Sequence, residues 1–166
     1  MVDLSLAEVR HFVAAVNAAR WRHTGSDSAS KSENDEAEQK LNALFGTSHR
    51  LAVYGTLAPG RANHHIVAPL VGEWTDGLIE GDLLPVGWGA ALGYPAFLPR
   101  VGGAAVAVQI LTSPLLVTAW TTLDRFEGSE YQRILVPVFK PASGSELAGN
   151  RRLYTVVNLY AATEVR

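Results

Sequence analysis

Residues 113–139, SPLLVTAWTTLDRFEGSEYQRILVPVF, contain the pattern that decides the fold. Ser113 is a favourable N-cap residue, and Pro114 suits the first position of a helix. Apolar residues then recur at helical steps until Gly128, so the sequence predicts one helix that ends there. The residues that follow are β-branched and aromatic and predict a strand, in which Pro137 indicates an edge or a bulge.

Further strand patterns lie on both sides of this helix. The predicted strands cover residues 51–57, 78–84, 103–111, 130–139 and 152–161. A parallel sheet built from βαβ units would need a helix between most of these strands, and only one clear helix is predicted among them. The sequence therefore predicts an α+β fold with a mixed or antiparallel, barrel-like sheet.

The first 48 residues are richer in charge than the rest of the chain. They contain 12 of its 30 charged side chains, of which 14 are basic and 16 acidic in total. Ser5 followed by Glu8 is a capping-box pattern, and apolar residues at steps of three and four predict a helix over residues 5–21. We expect this helix to dock on its own domain. The alternatives are a contact with a second copy, which would make a homo-oligomer, or with a partner helix.

The segment after this helix predicts a linker. Residues 24–35 contain no aliphatic side chain larger than alanine, so they bury too little surface to offset their ordering entropy and predict a flexible chain. Residues 36–45 predict a second short helix, which Gly46 would end. Residues 1–48 are therefore interpreted as an N-terminal helical extension, and residues 49–166 as the main domain.

Composition excludes several classes of function. The 166 residues include no cysteine, which removes disulfides, thiolate metal sites and cysteine nucleophiles. The formal charge is −2, so no basic surface predicts a nucleic-acid or membrane partner. No run of about 20 apolar residues would span a membrane, and Glu8 and Arg10 interrupt the N-terminal apolar stretch, unlike a signal peptide. We expect a cytoplasmic protein.

Motifs for cofactors and metals are also missing from the sequence. Gly87, Gly89 and Gly93 do not match the GxGxxG spacing of dinucleotide sites, and no GxSxG segment indicates a hydrolase triad. His64 and His65 are adjacent, and neighbours in a helix point about 100° apart, so we expect surface histidines rather than metal ligands. The sequence predicts a domain with no cofactor and no metal.

Two segments could carry chemistry, and the first is the turn Tyr54-Gly55-Thr56-Leu57 at the end of a predicted strand. Successive backbone N–H groups at such a turn can form a nest that binds a carboxylate or an oxyanion. Gly55 has no side chain and would let a ligand approach the backbone. The alternative is an ordinary strand and turn that binds nothing.

The second segment ends in Glu127, at the predicted C-terminal end of the helix, where the helix dipole disfavours a carboxylate. The helix end and the neighbouring apolar residues would both raise the pKa of Glu127 and make it a better proton acceptor near neutral pH. The alternative is a solvated side chain, or one paired with Arg125 or Arg133.

Together, YG(S/T)L, GxxNH and LDxFEGxxYxR resemble the gamma-glutamylcyclotransferase-like family over residues 51–161. The resemblance implies a small mixed β-barrel with flanking helices, to which the N-terminal helical extension would be an appendage. It further implies that Glu127 is the proton acceptor. The residues that it implies around the substrate are Tyr54, Gly55, Thr56 and Leu57, with Tyr131 bordering the same pocket.

The activity implied by the resemblance is that of a metal-independent, transferase-type enzyme acting on a small γ-glutamyl substrate. It would cyclise a γ-glutamyl amine or amide to 5-oxoproline and release the amine, with Glu127 as general base and then general acid. The alternative is a non-catalytic binding module for a γ-glutamyl or small carboxylate ligand in the same pocket. Residues 86–99, with Trp88, Tyr94 and Phe97, either line the side of the amine or belong to the core.

Overall fold

The computed structural model describes residues 3–21, 28–86, 88–140 and 151–163. Two helices, a run of four strands, one helix and two more strands follow one another along the chain, an order that matches an α+β fold. The elements are α1 (Leu6–Trp21), α2 (Ser28–Phe45), β1 (Arg50–Val53), β2 (Glu73–Leu84), β3 (Ala96–Pro99), β4 (Ala104–Thr112), α3 (Leu116–Glu127), β5 (Tyr131–Phe139) and β6 (Leu153–Ala162).

Five of the strands close into a small mixed barrel. The strands are hydrogen-bonded in the order β3-β2-β4-β1-β6-β5, and β5 pairs back with β2 where Leu78 faces Phe139. Strands β1 and β6 are parallel, with Leu51 opposite Asn158, and the other pairings are antiparallel. Strand β3 extends the sheet beside β2. The predicted α+β barrel with flanking helices is therefore confirmed.

Strand β6 uses its two faces differently, because successive side chains of a strand point to opposite sides. One face contributes to the core inside the barrel through Val157, Leu159 and Ala161. On the other face, Val156 packs in a cluster with α1 and α2, and Tyr160 packs in a cluster with α3. Asn158 lies between these two clusters. The outer face of β6 therefore links the N-terminal helices to α3.

The N-terminal helices pack on the barrel, as expected of the first helix. The capping box forms, because the Ser5 N–H and hydroxyl donate to the Glu8 carboxylate at 2.8 and 2.7 Å. Helix α1 buries Val9, Val13 and Val16 in one cluster with Leu41 of α2, together with Leu135 and Val156 of the barrel. The apolar stripe of α1 is thus covered within its own chain.

The linker predicted over residues 24–35 is wrong in part, because α2 already begins at Ser28. Residues 22–27 lie outside the described residues. A helix needs no buried aliphatic side chain in every turn, since each residue added to an existing helix gains a backbone hydrogen bond. The buried Ala37 and Leu41 dock the later turns of α2, so the helix extends from them towards its N-terminus. Gly46 ends α2 with a φ of 63°, as predicted.

Helix α3 places its last residue at the end of the barrel. It begins at Leu116, two residues later than Pro114, although the Ser113 hydroxyl still accepts a hydrogen bond from the Leu115 N–H at 3.2 Å. It ends at Glu127, where Gly128 has a φ of 74° and donates its N–H to the Asp124 carbonyl at 3.1 Å.

The strand boundaries differ from the sequence prediction in three places. Strand β1 ends at Val53, so residues 54–57 belong to the turn. Strand β2 begins at Glu73, five residues before the predicted start, and β3 was not predicted. The irregularity indicated by Pro137 is present, because the pairing of β5 with β6 shifts register between Val138 and Phe139.

Candidate active site

A concavity open to solvent lies where β1, the end of α3 and the segment before β3 meet. The space between its walls, including the part open to solvent, is about 440 Å³. It is lined by Ala52, Val53, Tyr54, Gly55, Thr56, Leu57, Trp88, Gly89, Tyr94, Pro95, Glu127, Tyr131 and Tyr160. All six residues that the sequence predicts for the site, Tyr54 to Leu57, Glu127 and Tyr131, are therefore brought to one cavity.

Glu127 combines burial with the absence of a protein partner. Glu127 is 8% exposed. Within the described ranges, no residue forms a hydrogen bond or an ion pair with its carboxylate, and Arg133 instead pairs with Asp124 at 2.8 Å. Burial raises the pKa of Glu127 from the ordinary 4.5 to about 7, because the charged form loses its hydration. The carboxylate can therefore exchange a proton near neutral pH.

The turn after β1 directs its carbonyl groups into the protein. The Gly55 and Thr56 carbonyls accept from the N–H groups of Ala58 and Asn63 at 3.2 and 2.9 Å, and the Leu57 carbonyl accepts from the His64 ring at 2.9 Å. The N–H groups of Gly55, Thr56 and Leu57 find no acceptor among the described residues. These three residues line the cavity, and unpaired N–H groups at a turn of this kind can bind an anionic group.

His64 therefore has a structural hydrogen bond, and its ring also lies 5.7 Å from that of Trp74. No cluster of three or more His, Cys, Asp or Glu residues suited to a metal occurs in the part of the chain that the structure describes.

Tyr54 contributes its ring to the cavity and its hydroxyl to the barrel. The hydroxyl donates to the Tyr160 carbonyl at 2.8 Å and accepts from the Phe97 N–H at 3.0 Å. Burial raises the pKa of the Tyr54 hydroxyl, so it stays protonated. The hydroxyl thus ties the end of β1 to β6 and β3, and the ring is the part left to contact a ligand.

Tyr131, the first residue of β5, lies beside Glu127 in the cavity. Burial raises the pKa of its hydroxyl, and the nearby Gly89 N–H partly offsets this rise. Its ring meets that of Trp88 edge-on, with ring centres 6.1 Å apart. The expected place of Tyr131 at the border of the pocket agrees with this arrangement.

The aromatic residues of the stretch 86–99 divide between the cavity and the core. Trp88 and Tyr94 line the cavity, whereas Phe97 is fully buried in the barrel core. The Trp88 ring N–H donates to the Glu127 carbonyl at 3.1 Å, which attaches this wall to the end of α3.

Tyr160 is a lining residue that the sequence analysis missed. Its position in a strongly apolar strand reads as core, and the one available signal was the polar end of its side chain. That hydroxyl donates to the Asp124 carboxylate at 2.7 Å.

A family model supplies the observation that decides the identity of the fold. The model for gamma-glutamyl cyclotransferase, AIG2-like proteins matches residues 51–164, which is more than half of the chain. The chain belongs to this family. The match begins at β1 and leaves α1 and α2 outside, so the gamma-glutamyl cyclotransferase, AIG2-like region contains the whole barrel and the cavity.

Solved structures with a similar chain include YkqA from Bacillus subtilis, with 21% identity, a TM-score of 0.46, and coverage of 69% of this chain and 36% of that one. The chain thus spans about a third of the length of YkqA. An AIG2-like protein from Mus musculus has 22% identity and a TM-score of 0.49, over 69% of this chain and 77% of that one. A protein from Arabidopsis thaliana has 23% identity and a TM-score of 0.44, over 69% and 68%.

A search of curated proteins finds no significant match to the chain. Among the described residues, no helix has both the length and the apolar character needed to cross a bilayer.

Proposed function

We propose that the protein is a gamma-glutamylcyclotransferase-like enzyme that cyclises a γ-glutamyl amine or amide to 5-oxoproline and releases the amine. The observation that supports this most directly is the buried carboxylate of Glu127 in the same cavity as three backbone N–H groups without protein acceptors. The carboxylate can accept and return a proton, and the N–H groups can bind an anionic oxygen, as this cyclisation requires.

The nucleophile in this reaction belongs to the substrate. Its α-amino nitrogen attacks its own γ-carbonyl carbon, forming the new C–N bond of the ring, and the old C–N bond to the leaving amine then breaks. Glu127 accepts the proton lost by the attacking nitrogen and returns one to the leaving nitrogen. A carboxyl group with a pKa of about 7 suits both steps, because neither protonation state is strongly favoured at neutral pH.

The turn after β1 provides the electrostatic part of the reaction. The N–H groups of Gly55, Thr56 and Leu57 would donate to the substrate's α-carboxylate or to the oxyanion that develops on the γ-carbonyl. Such donors are effective because they are fixed before the substrate arrives. The hydrogen bonds from Ala58 and Asn63 to the Gly55 and Thr56 carbonyls hold the turn in place.

The walls of the cavity would bring the two ends of the glutamyl chain together. Tyr54 and Trp88 are held by hydrogen bonds to neighbouring strands and to the Glu127 carbonyl, so their rings present fixed surfaces. A curled substrate placed against them would approach its ring-closing geometry before the reaction. Proximity of this kind removes a large part of the entropic barrier to bond formation.

The test is to replace Glu127 with Gln and to assay 5-oxoproline release from a panel of γ-glutamyl amines. Gln keeps the shape of the side chain and cannot exchange the proton, so turnover should fall by about 100-fold or more. Glu80→Gln is the matched control, because Glu80 is a partly buried glutamate paired with Arg10 and Arg151 away from the cavity. Its turnover should stay near that of the natural protein. Equal turnover in the Glu127 variant would exclude Glu127 as the base.

Binding without turnover is the result that would replace this proposal. A γ-glutamyl ligand that raises the unfolding temperature without being consumed would show a binding module in the same cavity. A ligand present at 100 times its dissociation constant should stabilise the fold by about 2.7 kcal/mol. The same experiment with 5-oxoproline detection distinguishes the two functions.

A further inference from the structure

A network of polar side chains connects α1 to the cavity across the outer face of β6. Its centre is Asn158, which is 2% exposed and lies between the cluster beneath the N-terminal helices and the cluster beneath α3. The side-chain N–H of Asn158 donates to the Thr47 carbonyl at 2.8 Å, so the orientation of its amide is fixed and its oxygen faces the network.

The N-terminal part of this network is Arg20, near the end of α1, whose side chain is 15% exposed. One guanidinium nitrogen donates to the Asn158 side-chain oxygen at 2.9 Å and to the Arg133 carbonyl at 3.3 Å, and the other donates to the Glu38 carboxylate at 2.6 Å. Arg20 therefore connects α1, α2, β5 and β6 through a single side chain.

The other part of the network reaches the cavity. Arg133 donates to the same Asn158 oxygen at 3.5 Å and pairs with the Asp124 carboxylate at 2.8 Å. Asp124 also accepts the hydroxyl of Tyr160, which lines the cavity, at 2.7 Å. Because Asp124 lies one turn before Glu127 on α3, these contacts fix the helix end that carries the proposed base.

We propose that Arg20 is a positioning residue for the cavity, acting through Asn158, Arg133 and Asp124 to hold Tyr160 and the last turn of α3. Arg20 lies outside residues 51–164, so the N-terminal helices supply a part of the site's support that the family region does not contain. An effect of Arg20 on turnover rests on the proposed function, whereas an effect on the pKa of Glu127 does not.

The physical reason is that two arginines donate hydrogen bonds to the same side-chain oxygen. Arg20 and Arg133 both donate to the one oxygen of Asn158, and each is balanced by its own carboxylate, Glu38 or Asp124. Without Arg20, the Asn158 oxygen and the Arg133 carbonyl lose a donor. The buried Asn158 oxygen would then draw the Arg133 guanidinium towards it, because a buried acceptor that loses one donor is costly until it finds another, and the Arg133–Asp124 pair would shift with it.

The test compares Arg20→Gln with Arg10→Gln. Both arginines lie on α1, and both form a partly buried ion pair, but Arg10 pairs with Glu80 at 2.9 Å away from the cavity. Carbon-13 NMR of labelled glutamate follows the titration of Glu127, and a Glu127→Gln sample identifies its signal. Thermal unfolding of each variant measures the purely structural contribution.

We expect both variants to lose stability, Arg20→Gln more because it gives up three hydrogen bonds, and only Arg20→Gln to change the pKa of Glu127. Burial alone raises the pKa of Glu127, so a loosened helix end that admits water should lower it by about one unit in Arg20→Gln. The pKa should be unchanged in Arg10→Gln. Turnover should fall about tenfold in Arg20→Gln with KM nearly unchanged, because small displacements of a catalytic group reduce kcat.

The same pKa and the same kcat in both variants would overturn the proposal and leave Arg20 a purely structural role. A natural protein without turnover would contradict the proposed function, while the comparison of the Glu127 pKa would still decide the role of Arg20. If Arg20→Gln does not fold, Glu38→Gln removes one anchor of Arg20 at a carboxylate that is 44% exposed. It should lower the Glu127 pKa in the same direction by a smaller amount, and an unchanged value would count against the proposal.

Discussion

The face of the sheet covered by α1 and the cavity at the end of α3 both contain partly buried polar groups, but the cavity leaves some of its groups without a protein partner among the described residues. Under α1, the Asn17 side chain both donates to the Leu135 carbonyl and accepts from the Leu135 N–H, each at 2.8 Å. Glu80 is paired with Arg10 at 2.9 Å and with Arg151 at 3.3 Å. This face is built for stability.

The cavity leaves one carboxylate and three backbone amides without protein partners in the part of the chain that the structure describes. Within the described ranges, the Glu127 carboxylate has no protein partner, and neither do the N–H groups of Gly55, Thr56 and Leu57. Unpaired polar groups lower the stability of a fold, so their presence in one concave place indicates a function that requires them. Substitutions on the two sides should therefore have opposite effects on stability and turnover.

The largest expected effect on stability is that of Leu41→Ala in α2. Leu41 is fully buried among Val9, Val13, Leu135 and Val156, so its removal should cost about 2–5 kcal/mol of unfolding free energy. Denaturant unfolding measures it, and turnover at a temperature where the variant is folded should be unchanged.

The matched control for this substitution is Leu44→Ala, one turn later on α2, where the side chain is 40% exposed. It should change the unfolding free energy by less than about 0.5 kcal/mol. Equal losses in the two variants would show that α2 does not share the core with the barrel.

The next effect, at Glu127→Gln, has the opposite sign and depends on pH. The pKa of Glu127 is about 7 in the folded chain and near the ordinary 4.5 in the unfolded chain, so the folded state holds the proton more tightly. Stability therefore falls as pH rises from about 4.5 to 7. Gln does not ionise, so the free energy of unfolding of the variant should exceed that of the natural protein by up to about 3 kcal/mol at pH 8 and should equal it at pH 4.

Thermal unfolding of both proteins across this pH range measures the difference. A constant difference at all pH values would mean that the carboxylate is not deprived of water in the folded protein. A gain in stability together with a loss of turnover would separate the role of Glu127 from the structural roles of Asn17 and Glu80.

A smaller effect is expected at Asn17→Ala on the covered face. The substitution removes both hydrogen bonds to Leu135, and water can only partly replace them beneath α1, so the loss should be about 1–2 kcal/mol. Turnover should remain unchanged. Amide hydrogen exchange at Leu135 should become faster, and an unchanged rate would show that the side-chain bridge does not protect this strand.

The features that could be predicted from the sequence are those that neighbouring residues determine. The pair Ser5 and Glu8 forms its capping box within one turn, and Gly128 ends α3 because it can adopt a positive φ. The same glycine predicts that Glu127 lies at the helix end. The family motifs added the turn after β1 and Tyr131, which share one cavity with Glu127.

The remaining features depend on how distant elements meet. Tyr160 reads as a core residue until β6 is placed beside α3, and Arg20 reads as a surface charge until α1 covers the outer face of β6. The sequence does not predict the early start of α2, because residues 28–35 contain no aliphatic side chain larger than alanine and a helix does not need one in every turn. The short strand β3 lies in a glycine-rich stretch whose pairing with β2 no local pattern indicates.

The smallest effect on stability, and the sharpest separation of the two regions, is expected at Gly55→Ala. The added Cβ would meet Tyr94 at 3.8 and 3.9 Å, which is ordinary contact, and Gly55 has no positive φ, so stability should change by about 0.5 kcal/mol or less. The methyl group would nevertheless occupy the cavity beside the proposed anion-binding amides, so turnover should fall about tenfold. Gly81→Ala should lower stability and leave the turnover of the folded protein unchanged, because its Cβ would collide with the Leu98 carbonyl and the Phe97 ring away from the cavity. Full turnover in Gly55→Ala would mean that the substrate does not approach this turn.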